Sequence, residues 1–224
     1  PTIAGSGPNG AIVHYHANKK SNRKIKDTDL FLIDSGAQYL DGTTDVTRTI
    51  SFRNVSNEQK KMNTLVLKGH IAVAISVFSK SETGKLLNIN ARKYLRQHNC
   101  DFDHGTGHGV GYFLNVHEGP QSISSVSKVK FLPGMIISNE PGYYKTNEYG
   151  IRIENLVNVK VHGNKYKFET LTLAPIDRQL IEASLLSENE IKWLNTYHKH
   201  VYIKLGKYLE PKEKIWLKAE CSNL

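Results

Sequence analysis

The segment His104–Pro120 constrains this chain more than any other. It holds five glycines and three histidines in seventeen residues. That glycine density forbids a regular helix. It also lets the backbone approach a neighbour closely and lets a histidine ring point at it. The rest of the chain must therefore fold mixed elements around an irregular loop. Leu30–Ile33 is a continuous apolar run of strand length, as in a strand buried on both faces. Asp41-Gly42 is a hairpin signal between Gln38–Leu40 and the β-branched run Val46–Phe52. Met135–Ser138 reads as a strand. Gly150–Val161 reads as one long alternating strand, turned by His162-Gly163-Asn164 into Tyr166–Leu173. Ser56 with Gln59, and Ser187 with Glu190, are capping boxes that open helices, the second running to about Leu205. Another helix is expected over Leu86–His98. Residues 1–28 read as irregular, with a short extended piece at Ala11–Tyr15. The expected class is α+β. Pro175 and Pro211 are the only punctuation late in the chain, which divides it into 1–175 and an appended helical segment, 176–224.

Charge narrows the partners. Thirty Lys and Arg against twenty-one Asp and Glu give a formal net charge of +9. The basic residues collect at Lys19, Lys20, Arg23, Lys24 and Lys26, and again between Lys199 and Lys218. Acidic residues (Glu210, Glu213, Glu220) alternate with the second group. This reads as a solvated surface, and no nucleic-acid signature accompanies it. Nucleic acid is not an expected partner. No run of eighteen apolar residues exists, so no membrane helix is expected. Two cysteines, Cys100 and Cys221, exclude a disulfide scaffold and suit a reducing compartment. With no signal-peptide pattern after Pro1, a cytoplasmic location is expected. The absent initiator Met points to a processed chain or a fragment.

The chemistry-bearing residues form four groups. If Asp41-Gly42 is a two-residue turn, Asp34 and Asp45 face the same side of a hairpin. They then stand about four residues apart, roughly 13 Å. Two carboxylates at that distance cannot share a metal, so a bend at Ser35-Gly36 is predicted. Taken alone, Asp34 and Asp41 read equally well as turn acids. Around His104-Gly-Thr-Gly-His108-Gly-Val-Gly the phosphate-loop patterns fail, because position 110 is Val and no Walker pattern occurs. No H-E-x-x-H or C-x-x-C occurs either. An isolated histidine is more often structural, but His104, His108 and His117 lie close together and point to metal binding or catalysis. Glu140 sits at a strand end before Pro141-Gly142. Arg152 and Glu154 share one face of a strand whose other face carries Ile151 and Ile153; the plain alternative is a surface ion pair of about 0–1 kcal/mol. Four carboxylates in one cleft repel one another unless cations neutralise them. Two divalent ions balance the charge. Oxygen-rich ligation with one imidazole favours Mn²⁺, Co²⁺ or Zn²⁺.

Four stretches together resemble the metal-dependent pita-bread peptidases, most closely their cytosolic eukaryotic Xaa-Pro aminopeptidase branch. They are Asp34-Ser-Gly-Ala…Asp41-Gly-Thr-Thr-Asp45-Val-Thr-Arg, His104-Gly-Thr-Gly-His108-Gly-Val-Gly…Asn115-Val-His117-Glu-Gly-Pro, Asn139-Glu140-Pro-Gly-Tyr-Tyr and Gly150-Ile-Arg-Ile-Glu154-Asn. Similarity runs from Pro8 to about His198. The resemblance implies a pita-bread fold: a curved, antiparallel-rich sheet covered by helices, with a C-terminal helical extension. It implies two divalent ions, Mn²⁺ first and Zn²⁺ or Co²⁺ as alternatives. Asp34 would be a terminal ligand of one metal, Asp45 and Glu154 the bridging carboxylates, and His108 and Glu140 terminal ligands of the other. Glu140 would also be the general base and later the acid. His117 would polarise the scissile carbonyl. His14 and His104 would line the proline side, and Arg152 would shape the pocket. The implied reaction is attack of a dimetal-bridging hydroxide on the Xaa-Pro bond, releasing one N-terminal residue. The implied partners are peptides with proline second and a second copy of the chain. The family's catalytic domain has further helices and strands before Pro8-Asn-Gly. A fragment is therefore expected, with the remainder lost or present as a separate chain.

Rival readings are prolidase, methionine aminopeptidase, or a catalytically silent pita-bread module that binds histones, RNA or peptides. Such modules usually lose metal ligands, whereas all five types are present here. A serine or cysteine nucleophile is disfavoured because no G-x-S-x-G pattern occurs.

Overall fold

The computed structural model describes residues 2–224. In chain order the strands are β1 (Ile3–Ser6), β2 (Phe31–Ser35), β3 (Gln38–Tyr39), β4 (Gly42–Thr43) and β5 (Val46–Ile50). Helix α1 (Asn57–Ala74), β6 (Val77–Phe78) and α2 (Lys85–Arg96) follow. Then come β7 (Gly107–His108), β8 (Ser122–Ile123), β9 (Ile136–Asn139), β10 (Gly142–Lys145), β11 (Tyr149–Arg152), β12 (Asn155–His162) and β13 (Lys165–Thr170). Helices α3 (Glu188–Leu205) and α4 (Pro211–Glu220) end the chain.

Every strand pairing is antiparallel. The main sheets run β1-β2-β5 and β6-β13-β12-β9. One apolar core joins α1 (Leu65, Val66, Ile71) to α3 (Leu194, Val201), β11 (Ile151) and the segment holding Ile176 and Leu180. A second joins α2 (Leu87, Ala91) to the four-stranded sheet through Ile137, Val157, Val159 and Phe168. Helices α1 and α3 both start on the expected capping boxes, at Ser56 and Ser187. Each box satisfies amide donors that the first helical turn leaves unpaired. Arg48 is buried, and its guanidinium donates to Glu154, Asn155, Ala174, Pro175 and Tyr197, tying β5 to β12 and α3.

Three expectations need correction. The extended piece at Ala11–Tyr15 is absent; the strand lies earlier, in β1, where Ile3 pairs with Asp34. Pro8-Asn9-Gly10 then form a short 3-10 turn over Gly7–Ala11, because proline fixes φ and suits a first helical turn.

The expected long strand Gly150–Val161 is two strands, β11 and β12, broken at Ile153-Glu154. The reason is a change of partner. β11 pairs with β10, whereas β12 pairs with β9 and β13. At the break, the Ile153 amide donates to Pro141 and the Glu154 amide to the Thr47 carbonyl.

The hairpin turn is Leu40-Asp41, not Asp41-Gly42, since Tyr39 pairs with Gly42 and Gln38 with Thr43. The same register continues into β2 and β5, where Asp34 faces Thr47 and Ser35 faces Val46. One step further puts Asp45 opposite Gly36. A register shift of two keeps the parity of every side chain. It also brings Asp34 and Asp45 to diagonal positions, about 7–8 Å apart in such ladders. No bulge is needed. Gly36 matters for another reason: a Cβ there would collide with the Thr44 carbonyl oxygen.

Candidate metal centre

One cavity of about 1080 Å³ is lined from β1–β4, β7, β11, the segments that flank these strands and the loop after β7. All nine sequence-predicted site residues line it: Asp34, Asp45, His108, Glu140 and Glu154, with His14, His104, His117 and Arg152. They come from five separate stretches of the chain, so only the folded sheets bring them together.

Three of them form the tightest group. Ligand atoms of Asp45, His108 and Glu154 all lie within 4.8 Å of one another. His108 Nε2 is 3.5 Å from Asp45 Oδ2 and 3.2 Å from Glu140 Oε1. The other ring nitrogen, Nδ1, donates to the Gly109 carbonyl at 2.9 Å. That bond aims Nε2 at the carboxylates, an arrangement common behind metal-binding imidazoles. The backbone around His108 is equally determined. Its amide donates to Ser138 Oγ at 2.9 Å, and Ser138 Oγ donates to Glu140 Oε1 at 2.9 Å. Gly107 allows this crossing, because a Cβ there would strike the Ser138 carbonyl.

Arg152 Nη2 donates to Asp34 Oδ2 at 2.8 Å. Arg152 and Glu154 are both buried, at 2% and 1% exposure, which overturns the plain reading of a surface pair. They do not pair with each other. Both meet Thr47, whose hydroxyl donates to Glu154 Oε2 at 2.7 Å and accepts from Arg152 Nε at 3.1 Å.

The electrostatics follow from burial. Burial first, then the charges of Asp34 and Glu140, push the Asp45 carboxyl up to about 7. Burial, with Glu140 and Asp45 next, lifts Glu154 well above the usual carboxylate range. Burial alone would raise Glu140 too, but the hydrogen bond from His108 and its positive charge hold Glu140 low. Burial would lower His108, yet Glu140 holds it above the ordinary histidine value. The cluster is thus short of positive charge. Four carboxylates and one imidazole, with Asp45 and Glu154 lifted toward neutrality, form a donor set suited to hard or borderline divalent cations.

The remaining histidines flank this cluster. The His117 ring stands edge-on to His108, centroids 4.1 Å apart. His104 Nε2 lies 2.8 Å from the Tyr144 hydroxyl, which also accepts from Arg152 Nη1 at 2.8 Å. Burial lowers His104, and it pushes Tyr144 up to about 12. Sequence reasoning missed Tyr144, Thr47 and His16, which also lines the cavity. The tandem Tyr143-Tyr144 after Glu140-Pro-Gly was visible, but alternation along β10 does not say which ring turns inward.

The profile of metallopeptidase family M24 matches residues 1–160, and that of the C-terminal region of the same peptidases matches 164–224. A probable Xaa-Pro aminopeptidase P from Aspergillus niger is 45% identical over 98% of this chain. One from Coprinopsis cinerea is 47% identical over 100% of it. The chain spans only 38% of the length of each. A solved X-prolyl aminopeptidase from Caenorhabditis elegans is described as a cytosolic enzyme with a di-nuclear active site. It superposes with a TM-score of 0.95 at 41% identity, covering 100% of this chain and 38% of its own. Prolidase from Pyrococcus furiosus superposes at 0.66 with 34% identity, over 76% of this chain and 49% of its own. The antiparallel sheets and covering helices are therefore the expected pita-bread fold, and the chain belongs to metallopeptidase family M24.

Proposed function

We propose that this chain is the catalytic part of a metal-dependent aminopeptidase that hydrolyses the Xaa-Pro bond at peptide N-termini and releases one residue. The carrying observation is the convergence of Asp34, Asp45, His108, Glu140 and Glu154 in one cavity already flanked by His14, His104 and His117. The names of the relatives, and the di-nuclear site of the nematode enzyme, support the same reading.

The donor set fits two divalent ions, with Mn²⁺ favoured over Zn²⁺ or Co²⁺. Asp34 would hold one, His108 and Glu140 the other, and Asp45 and Glu154 both. When bound, such a pair supplies an acidified water nucleophile and Lewis-acid polarisation of the scissile carbonyl. The protein does the rest. Glu140 takes the proton of the attacking water on a carboxylate oxygen and returns it to the departing proline nitrogen. His117 donates to the carbonyl oxygen as negative charge develops there. His14 and His104 line the proline side. Arg152, fixed by Tyr144 and Thr47, keeps Asp34 oriented. We read 1–175 as the catalytic part and 176–224 as a helical extension, in a cytoplasmic homodimer.

A cleavage panel tests this. An Xaa-Pro-Pro peptide, an Xaa-Pro dipeptide and a Met-Ala peptide are incubated with protein and Mn²⁺, with and without chelator. Chelator-sensitive release of only the first residue of the Xaa-Pro-Pro peptide is expected. Cleavage of the dipeptide alone would move the assignment to prolidase. No cleavage of any substrate, by this chain or by a protein of its relatives' full length, would favour a silent binding module.

A further inference from the structure

The loop Gly111–Glu118 carries His117 and places Leu114, Asn115 and Val116 on the cavity wall. Little apolar packing holds it, since Tyr112, Phe113 and Leu114 are each at least half exposed. Its backbone is also unfavourable: Phe113 has φ +49°, a left-handed region that a non-glycine residue keeps only with support from its surroundings. Internal bonds close the loop on itself, from the Gly111 amide to Asn115 and from the Glu118 amide to Gly109. They do not fix where the closed loop sits over the cavity.

The hairpin β3–β4 does. Gln38 and Thr43 are cross-strand partners. Gln38 Nε2 donates to the Leu114 carbonyl at 2.7 Å, and Thr43 Oγ donates to the same oxygen at 3.0 Å. A carbonyl has two lone pairs, so it accepts both. The two donors are set on one rung of a ladder whose register also sets Asp34 and Asp45. The metal-side carboxylates and the loop that bears His117 are thereby referenced to one hairpin register.

We propose that Gln38 and Thr43 are positioning residues: together they strap the Gly111–Glu118 loop to the hairpin and so aim His117 at the scissile carbonyl. This rests on the aminopeptidase reading above, and its test is separable from that reading. Gln38→Glu keeps the shape but removes the amide donor. Thr43→Val removes the hydroxyl, and Thr43→Ser retains it. Hydrogen–deuterium exchange of the 111–118 amides, with α1 as internal reference, needs no turnover. The double variant Gln38→Glu/Thr43→Val is expected to speed loop exchange several-fold while α1 is unchanged and Thr43→Ser stays near wild type. Loop exchange equal to wild type would overturn the strap.

Kinetics on the metal-loaded protein then assign it to His117. In the wild-type background the double variant should lower kcat for an Xaa-Pro-Pro peptide about tenfold, with KM within about twofold. In a His117→Ala background it should cause no further loss. Equal losses in both backgrounds would overturn the link to His117. A wild-type protein that cleaves nothing would defeat the aminopeptidase reading, and the exchange experiment would still decide the strap.

Discussion

Thr47 and Glu154 lie 107 positions apart, yet they share two contacts: the Thr47 hydroxyl donates to Glu154 Oε2 at 2.7 Å, and the Glu154 amide donates to the Thr47 carbonyl at 3.1 Å. The same hydroxyl accepts from Arg152 Nε. One threonine on β5 therefore orients the carboxylate that would bridge two metals and the guanidinium that holds Asp34.

Thr47→Val keeps the side-chain shape and removes both hydroxyl contacts. Residues that orient metal ligands typically contribute 10–100-fold in affinity or activity. We expect Mn²⁺ affinity, measured by calorimetry, to fall by about that factor while the circular dichroism spectrum is retained. Wild-type affinity in the variant would mean that Thr47 does not orient the site.

Asp45→Asn and Glu154→Gln should abolish peptide cleavage without unfolding the chain. Asp45 is pushed up to about 7 by burial and by Asp34 and Glu140, so it is a liability when no cation is present. In chelator at pH 7.5 the Asp45→Asn protein should melt no lower than wild type. Wild type should gain about 2.7 kcal/mol when metal reaches a hundredfold excess over Kd. The variant should gain far less, and a full metal-induced rise in its Tm would remove Asp45 from the bridging role.

Gly36→Ala forces a methyl group against the Thr44 carbonyl. Backbone cannot yield cheaply there, and overpacking of this kind costs about 1–3 kcal/mol. The hairpin should open around Asp45, so both the urea midpoint and the Mn²⁺ affinity should drop together. A variant stable and metal-binding like wild type would show that the close approach is dispensable.

His198 on α3 is fully buried and accepts the Ile176 amide at Nε2, 3.1 Å away. Burial, then the charges of Arg178 and Arg48, push it down to about 4. The unfolded state then binds the extra proton between about pH 6.5 and 4, so stability is present above that window and is lost as pH falls through it. The contribution is on the order of 3 kcal/mol. His70, pushed down to about 3 by burial and Arg48, acts in the same direction. Urea denaturation across pH 4–7 should show the loss in wild type and a shallower slope in His198→Gln; identical slopes would show that His198 does not carry it.

The sequence by itself determined what is decided within a few residues or by residue type. Ser56 with Gln59 and Ser187 with Glu190 set helix starts because each box closes its hydrogen bonds locally. The glycines around His108 announced a close backbone crossing, and the histidines and carboxylates, by residue type, pointed to metal binding or catalysis. Only the tertiary structure decided which strands pair and where one ends. A two-residue difference in hairpin register preserves the hydrophobic pattern, so pattern could not separate the two, and the true one places Asp34 near Asp45. The break at Ile153-Glu154 was invisible because alternation continues through it; it exists because Pro141 and Thr47, distant in sequence, accept those two amides. Tyr144 and Thr47 escaped notice for the same reason, since a hydroxyl becomes part of a site only through partners that folding delivers.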